Sequence, residues 1–133
     1  MKMDFKEYFK KYNAQKRIDK FAKKYAGKKV VLYGAGYFAN DLFKNYNLSK
    51  INITGISDLK FEYDDAGEYI GYKKIAPSEL PNLEFDVLCI TAYDDELIKE
   101  FLEDELFENK NMEFKVETLI KLGLFDYIKK LFS

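Results

Sequence analysis

The stretch Val30 to Asp41 reads VVLYGAGYFAND. A short β-branched apolar run, Val30 to Tyr33, stops at Gly34, and a helical pattern opens directly after Gly36. A strand that passes into a helix through two glycines belongs to a β–α unit, and such units build parallel sheets covered by helices. The rest of the chain keeps this alternation. Asp4 to Tyr25 reads as a helix, with Phe5, Tyr8, Phe9, Tyr12, Ile18, Phe21, Ala22 and Tyr25 at helical spacing, and Asn13 marks a kink or break. Tyr37 to Tyr46 is the next helix, with Phe38, Leu42 and Phe43 on its apolar face, and Ile51 to Ser57 a second strand ending at Asp58. Between Leu59 and Leu80 the periodicity is lost. There EYIGYKKI suggests a small hairpin or loop around Gly71, and APSEL opens a short helical turn with Pro77 early in it. Phe85 to Ala92 is the strongest strand. Asp94 is expected to cap the following helix, in which Leu97, Ile98, Phe101, Leu102 and Leu106 share a face. Phe114 to Thr118 reads as a further strand and Phe125 to Phe132 as a short terminal helix.

Gly34-Ala35-Gly36-Tyr37-Phe38-Ala39 satisfies G-x-G-x-x-G/A, the dinucleotide-binding fingerprint. Each residue has its own reason. Gly34 permits the tight strand-to-helix turn, Gly36 lets a pyrophosphate approach the backbone, and Ala39 lets helix and strand pack closely. The N–H groups near Tyr37 and Phe38 then face the phosphates with the positive end of the helix. Asp58 follows Ala39 by 19 positions, close to the spacing at which an acid holds a ribose hydroxyl. An acid there favours a free 2′-OH and makes NADP the poorer candidate. The carboxyl ends of the strands therefore collect Gly34–Gly36, Asp58-Leu59 and Thr91-Ala92-Tyr93, with the Thr91 hydroxyl and the Tyr93 ring as further candidate contacts. The bland alternative is that the glycines serve only the turn and Asp58 is a solvated strand end.

These segments resemble a known group. KKVVLYGAGYFANDLF, ITGISD, GYKKIAPSEL and FDVLCITA are similar to the small Rossmann-like N-terminal domains of bacterial surface-polysaccharide biosynthesis proteins, of the nucleotide-sugar epimerase/dehydratase and sugar acyltransferase types. The resemblance covers about Lys28 to Leu119. It implies a three-layer α/β fold with a parallel sheet of four or five strands, preceded here by an extra N-terminal helix. It also implies NAD or a nucleotide sugar as ligand. Gly34, Gly36 and Asp58 match the nucleotide-contacting positions, Gly71 the hairpin glycine, and Thr91-Ala92 the end of the later strand. The Tyr-x-x-x-Lys helix motif of epimerases and the hexapeptide repeats of the acyltransferases do not appear. The resemblance thus implies ligand binding, and no residue is assigned a catalytic role.

Composition narrows the functions further. The chain has 133 residues, enough for one buried core, with 47% hydrophobic and 34% charged residues, a globular balance. It contains no histidine and one cysteine, Cys89, so a zinc site and a Ser-His or Cys-His pair are not expected. The single thiol fits a reducing, cytoplasmic setting, and no apolar run suggests an integral membrane segment or a signal peptide. Acids are frequent between Asp94 and Glu108, where a solvated helix surface is the favoured reading over a metal site.

Charge is unevenly placed. Residues 1–29 hold 11 Lys/Arg against 3 Asp/Glu, and the remainder 11 against 20. We divide the chain accordingly into a basic amphipathic helix, residues 1–27, and a nucleotide-binding domain, residues 28–133. The basic helix admits three readings: an anionic membrane surface, nucleic acid, or packing of its rings on the sheet or on a second copy. Packing is favoured, because the rings are those a small core uses. The expected partners are a small nucleotide ligand and either a second copy or a larger biosynthetic enzyme. An interaction module with a vestigial site is the alternative function.

Overall fold

The computed structural model describes residues 5–107 and 113–120. The expected terminal helix, Phe125 to Phe132, lies outside them. The N-terminal helical region is two helices, α1 (Lys6–Lys11) and α2 (Ala14–Lys24), broken at Asn13, whose φ of 51° is left-handed. Strand β1 (Val30–Tyr33), helix α3 (Tyr37–Asn45) and strand β2 (Ile53–Ser57) follow. The segment without periodicity holds a 3-10 turn, Leu59–Phe61, and a hairpin of β3 (Glu68–Tyr69) and β4 (Tyr72–Ile75). A second 3-10 segment, Pro77–Asn82, leads to β5 (Val87–Ile90), α4 (Asp95–Phe101) and β6 (Lys115–Thr118). The helical path of α4 continues through a π-helical turn, Leu102–Leu106.

The six strands of the described residues join one sheet in the order β3-β4-β2-β1-β5-β6. Every neighbouring pair is parallel except β3 and β4. The four or five strands expected become six, because the hairpin adds its two short strands to the edge beyond β2. Sequence periodicity cannot register a two-residue strand, so β3 was beyond its reach.

β1 and β5 are buried along their whole length, as central strands of a parallel sheet must be. Their side chains divide between two apolar clusters. Val30, Leu32, Val87 and Cys89 pack with Phe9, Ile18 and Phe21 of α1 and α2 and with Phe38 and Leu42 of α3. Val31, Tyr33 and Leu88 pack with Leu80 of the second 3-10 segment and with Leu102 and Phe107. The aromatic face of the basic N-terminal region is therefore inside the molecule. Phe9 is fully buried, and its ring lies 4.9 Å from that of Phe38. The lysines of α1 and α2 stay at the surface, and Lys24 bridges to Glu117 of β6 at 2.8 Å.

Two local expectations around α4 are corrected. Asp94 occupies the N-cap position but makes no side-chain cap bond. Its neighbour Asp95 instead accepts a 3.0 Å hydrogen bond from the Thr118 hydroxyl of β6. Leu97 does not share the buried face: it is 67% exposed, while Ile98, Phe101 and Leu106 pack against the core. Among the described residues no helix is long and apolar enough to cross a membrane.

Candidate functional site

Chain order reverses at β1. The connection through α3 leads to β2 on one side, and the later connection leads to β5 on the other. In open parallel sheets that reversal leaves a crevice at the carboxyl ends of the strands, where ligands bind. The glycine turn stands at this point.

The two glycines of the turn answer to different forces. Gly34 has φ +124°, and a Cβ there would lie 2.6 Å from the Thr91 carbonyl oxygen and 2.9 Å from its carbon. The fold itself requires glycine at Gly34. Gly36 is different. It is exposed, it is the N-cap of α3 with φ −96° and ψ −156°, and a Cβ added there would meet nothing within 4 Å. Any residue adopts that backbone, so the fold has no steric need for glycine at Gly36. Gly36 has no side chain with which to cap α3, and the first N–H groups of a helix have no intrahelical acceptor.

Asp58 comes close to the turn, as its position after β2 implies, but its carboxylate is engaged there. Oδ2 accepts the Ala35 N–H at 2.7 Å, and Oδ1 accepts the Lys60 N–H at 3.1 Å. The Lys60 ammonium donates to the Ala35 carbonyl and stands 4.5 Å from the centroid of the Tyr69 ring. The Tyr69 hydroxyl in turn accepts from Asn40 Nδ2 of α3 at 2.6 Å. The loop after β2 and the hairpin thus hold the glycine turn from outside. On the inside, the fully buried Thr91 hydroxyl donates to the Gly34 carbonyl at 2.8 Å. Ala92 lies alongside, its Cβ 3.2 Å from where a Gly34 Cβ would stand.

The apolar candidates separate. Phe38 is buried and belongs to the core. Tyr93 is half-buried, with its ring 5.9 Å from Phe5 and 5.5 Å from Tyr8, so α1 packs beside this end of β5. Burial first, then the neighbouring Tyr93, Tyr12 and Asp95, pushes the Tyr8 phenol above its ordinary value and keeps it neutral. Tyr37 and Leu59 are 60% and 61% exposed. Each follows a strand at the carboxyl edge, and exposed Leu97, near the start of α4, adds a third apolar surface residue after β5.

Sequence reasoning missed Lys60, Tyr69 and Asn40, and it set Leu97 on the buried face of its helix. The Asp58–Lys60 contact was detectable: an Asp just before Leu-Lys-Phe is an N-cap signal, and Asp58 caps that 3-10 turn. The Asn40–Tyr69 pair joins residues 29 positions apart and carries no local signal.

At the opposite edge, two cavities of about 700 and 400 Å³ open near Lys29, Asp86 and Phe114. Their charges are mixed, with Lys24, Lys28 and Lys115 against Asp86 and Glu113, and they lie away from the strand-order reversal. Among the described residues no cluster of three acids, histidines or cysteines is placed to hold a metal ion.

The family model described as "C2185-like, N-terminal" matches residues 26–112. The chain belongs to the C2185-like N-terminal domain family. The C2185-like segment includes the glycine turn, Asp58 and Thr91 to Tyr93, and it leaves α1 and α2 outside. No curated protein and no solved structure matches the chain.

Proposed function

We propose that this domain binds a nucleotide ligand, an NAD-type dinucleotide or a nucleotide sugar, across the glycine turn of a three-layer Rossmann-like sheet. The observation that carries the reading is Gly36. It sits exposed at the start of α3, in a backbone conformation open to any residue, with free space where a Cβ would be. A ligand group approaching the main chain needs that space. The helix offers N–H donors and the positive end of its dipole to a phosphate there. The strand order supports the assignment, because the reversal at β1 puts the turn where such sheets bind ligands. Asp58 holds the turn in shape, and the lone pairs left on its carboxylate reach a ribose hydroxyl. The bacterial polysaccharide setting and a cytoplasmic location rest on the resemblance and on the single thiol.

The rival, an interaction module with a vestigial site, draws on the exposed Tyr37, Leu59 and Leu97. It gains nothing from the N-terminal helices, whose aromatic face is already packed in the core.

The test is a thermal-shift screen of the protein against NAD, NADH, NADP, UDP-, CDP- and GDP-sugars, coenzyme A and S-adenosylmethionine, with Gly36→Val as control. A ligand at ~100 times its Kd adds about 2.7 kcal/mol, a shift of several degrees in a domain of this size. A selective shift in the wild type that vanishes in a folded Gly36→Val establishes the site. No shift with any compound favours the interaction module.

A further inference from the structure

The reversal of strand order at β1 gives the carboxyl edge of the sheet two sides. On the β2 side the edge is open: Gly36 is exposed, and Tyr37 and Leu59 beside it are largely in water. On the β5 side the edge is built over. Phe38, in the first turn of α3, and Tyr93, just beyond β5, flank the reversal. Two rings at the start of the chain bridge them, Phe5 at the N-cap of α1 and Tyr8 within that helix. The Phe5 ring lies 5.1 Å from that of Phe38 and 5.9 Å from that of Tyr93. The Tyr8 ring lies 5.9 Å and 5.5 Å from the same two.

This block of rings is anchored. Phe5 is buried, and one turn further on the fully buried Phe9 packs against Phe38. The same cluster holds Val30 and Leu32 of β1 with Val87 and Cys89 of β5, so lifting α1 away would expose the core the two strands share. Rings at these separations also attract one another beyond the area they bury. The family match begins at residue 26, so Phe5 and Tyr8 come from a segment outside the matched domain.

A dinucleotide needs both sides of the reversal. In doubly wound sheets it crosses the crevice, with one nucleoside on each half and the diphosphate at the glycine turn. A sugar extends past the diphosphate by one ring, whereas a second nucleoside adds a base beyond its ribose. We propose that Phe5 and Tyr8 close the second nucleoside position, so that the site takes a ligand built on a single nucleoside diphosphate, a nucleotide sugar and not an NAD-type dinucleotide. This rests on the nucleotide-binding reading above and chooses between its two ligand classes.

Isothermal titration tests it with the glucose conjugates of ADP, UDP, GDP and CDP, each beside the symmetric dinucleotide in which the same diphosphate joins two copies of that nucleoside. The two members of a pair carry the same charge on the diphosphate and differ in what lies beyond it. The proteins are wild type, Tyr8→Ala and Tyr93→Ala; both rings are half-buried, which favours folded variants. For the base that binds, wild type is expected to hold the glucose conjugate about tenfold or more tighter than the dinucleotide, because the dinucleotide must part the ring contacts on Tyr93. In the variants the dinucleotide is expected to gain and the ratio to fall to about threefold or less. A wild type that binds the dinucleotide as tightly as the conjugate overturns the proposal and leaves the glycine-turn site standing. So does a ratio that persists in both variants. Ring NMR of the wild type gives a reading that needs no variant: a dinucleotide that binds while leaving the Tyr8 and Tyr93 resonances in place overturns the closure. A wild type that binds none of these compounds overturns the nucleotide-binding reading, and the ligand choice with it.

Discussion

Gly34 and Gly36 lie two residues apart in one motif, and their replacement by alanine is expected to have opposite consequences. At Gly34 the new Cβ meets backbone, 2.6 Å from the Thr91 oxygen, and backbone of β5 cannot step aside as a flexible side chain can. The residue would also keep a φ of +124°, which L residues rarely adopt. Strained backbone costs about 1–3 kcal/mol by itself, and the overlap adds to it, so Gly34→Ala is expected to lose about 3 kcal/mol or more. For a domain of this length that is a fall of roughly 10 °C in Tm. At Gly36 the Cβ meets nothing, and φ is ordinary. Restricting the unfolded chain gains about 0.4–1 kcal/mol, which offsets the poorer N-cap behaviour of alanine. Gly36→Ala is therefore expected to melt within about 3 °C of wild type. Calorimetry of the two variants side by side checks both values. A Gly36→Ala as unstable as Gly34→Ala would mean that the fold, and not a ligand, requires the second glycine, and the central argument for a binding site would fail.

Phe9→Ala removes a fully buried ring between α1 and α3 and is expected to destabilise the whole domain by about 3–5 kcal/mol in a single urea transition. A loss below about 1 kcal/mol, or a separate early transition, would show that the N-terminal helices fold apart from the sheet. Asp58→Ala leaves the buried Ala35 N–H without its acceptor and is expected to cost about 1–3 kcal/mol, read from the urea midpoint, with Asp58→Asn recovering part through its remaining oxygen. A neutral Asp58→Ala would refute the role given to the carboxylate in holding the turn. Cys89 is fully buried in β5, and burial, with Glu117 adding to it, pushes its thiol well above the usual range. Ellman's reagent is expected to react with it only in the unfolded protein, and fast reaction in native buffer would mean that β5 opens readily.

The elements with strong local signals were legible in the chain itself. Val30–Tyr33 and Val87–Ile90 are continuous apolar runs, and such runs form buried strands wherever they sit. Gly34 marks the turn because only glycine tolerates its φ, and Asn13 breaks the first helix in a conformation asparagine tolerates better than most. The hairpin at Gly71 was read from turn residues alone, with no periodicity to support it. α4 was misread for the converse reason. Leu97 and Ile98 are adjacent and both apolar, and only the tertiary partner decides that Ile98 goes in and Leu97 out.

What the sequence by itself determined is the kind of unit: strands and helices in alternation, a glycine turn between the first pair, and an acid at the end of the second strand. Each of these follows from backbone sterics or from side-chain periodicity over a few neighbouring residues. Only the tertiary structure decided what those residues touch. Asp58 meets Ala35 across 23 positions, Thr91 meets Gly34 across 57, and Tyr33 stands opposite Ser57 in the β1–β2 register. These contacts depend on the order and register of strands far apart in the chain. Order and register are settled when two faces of the sheet bury their apolar clusters together, a condition on the whole molecule that no local window contains.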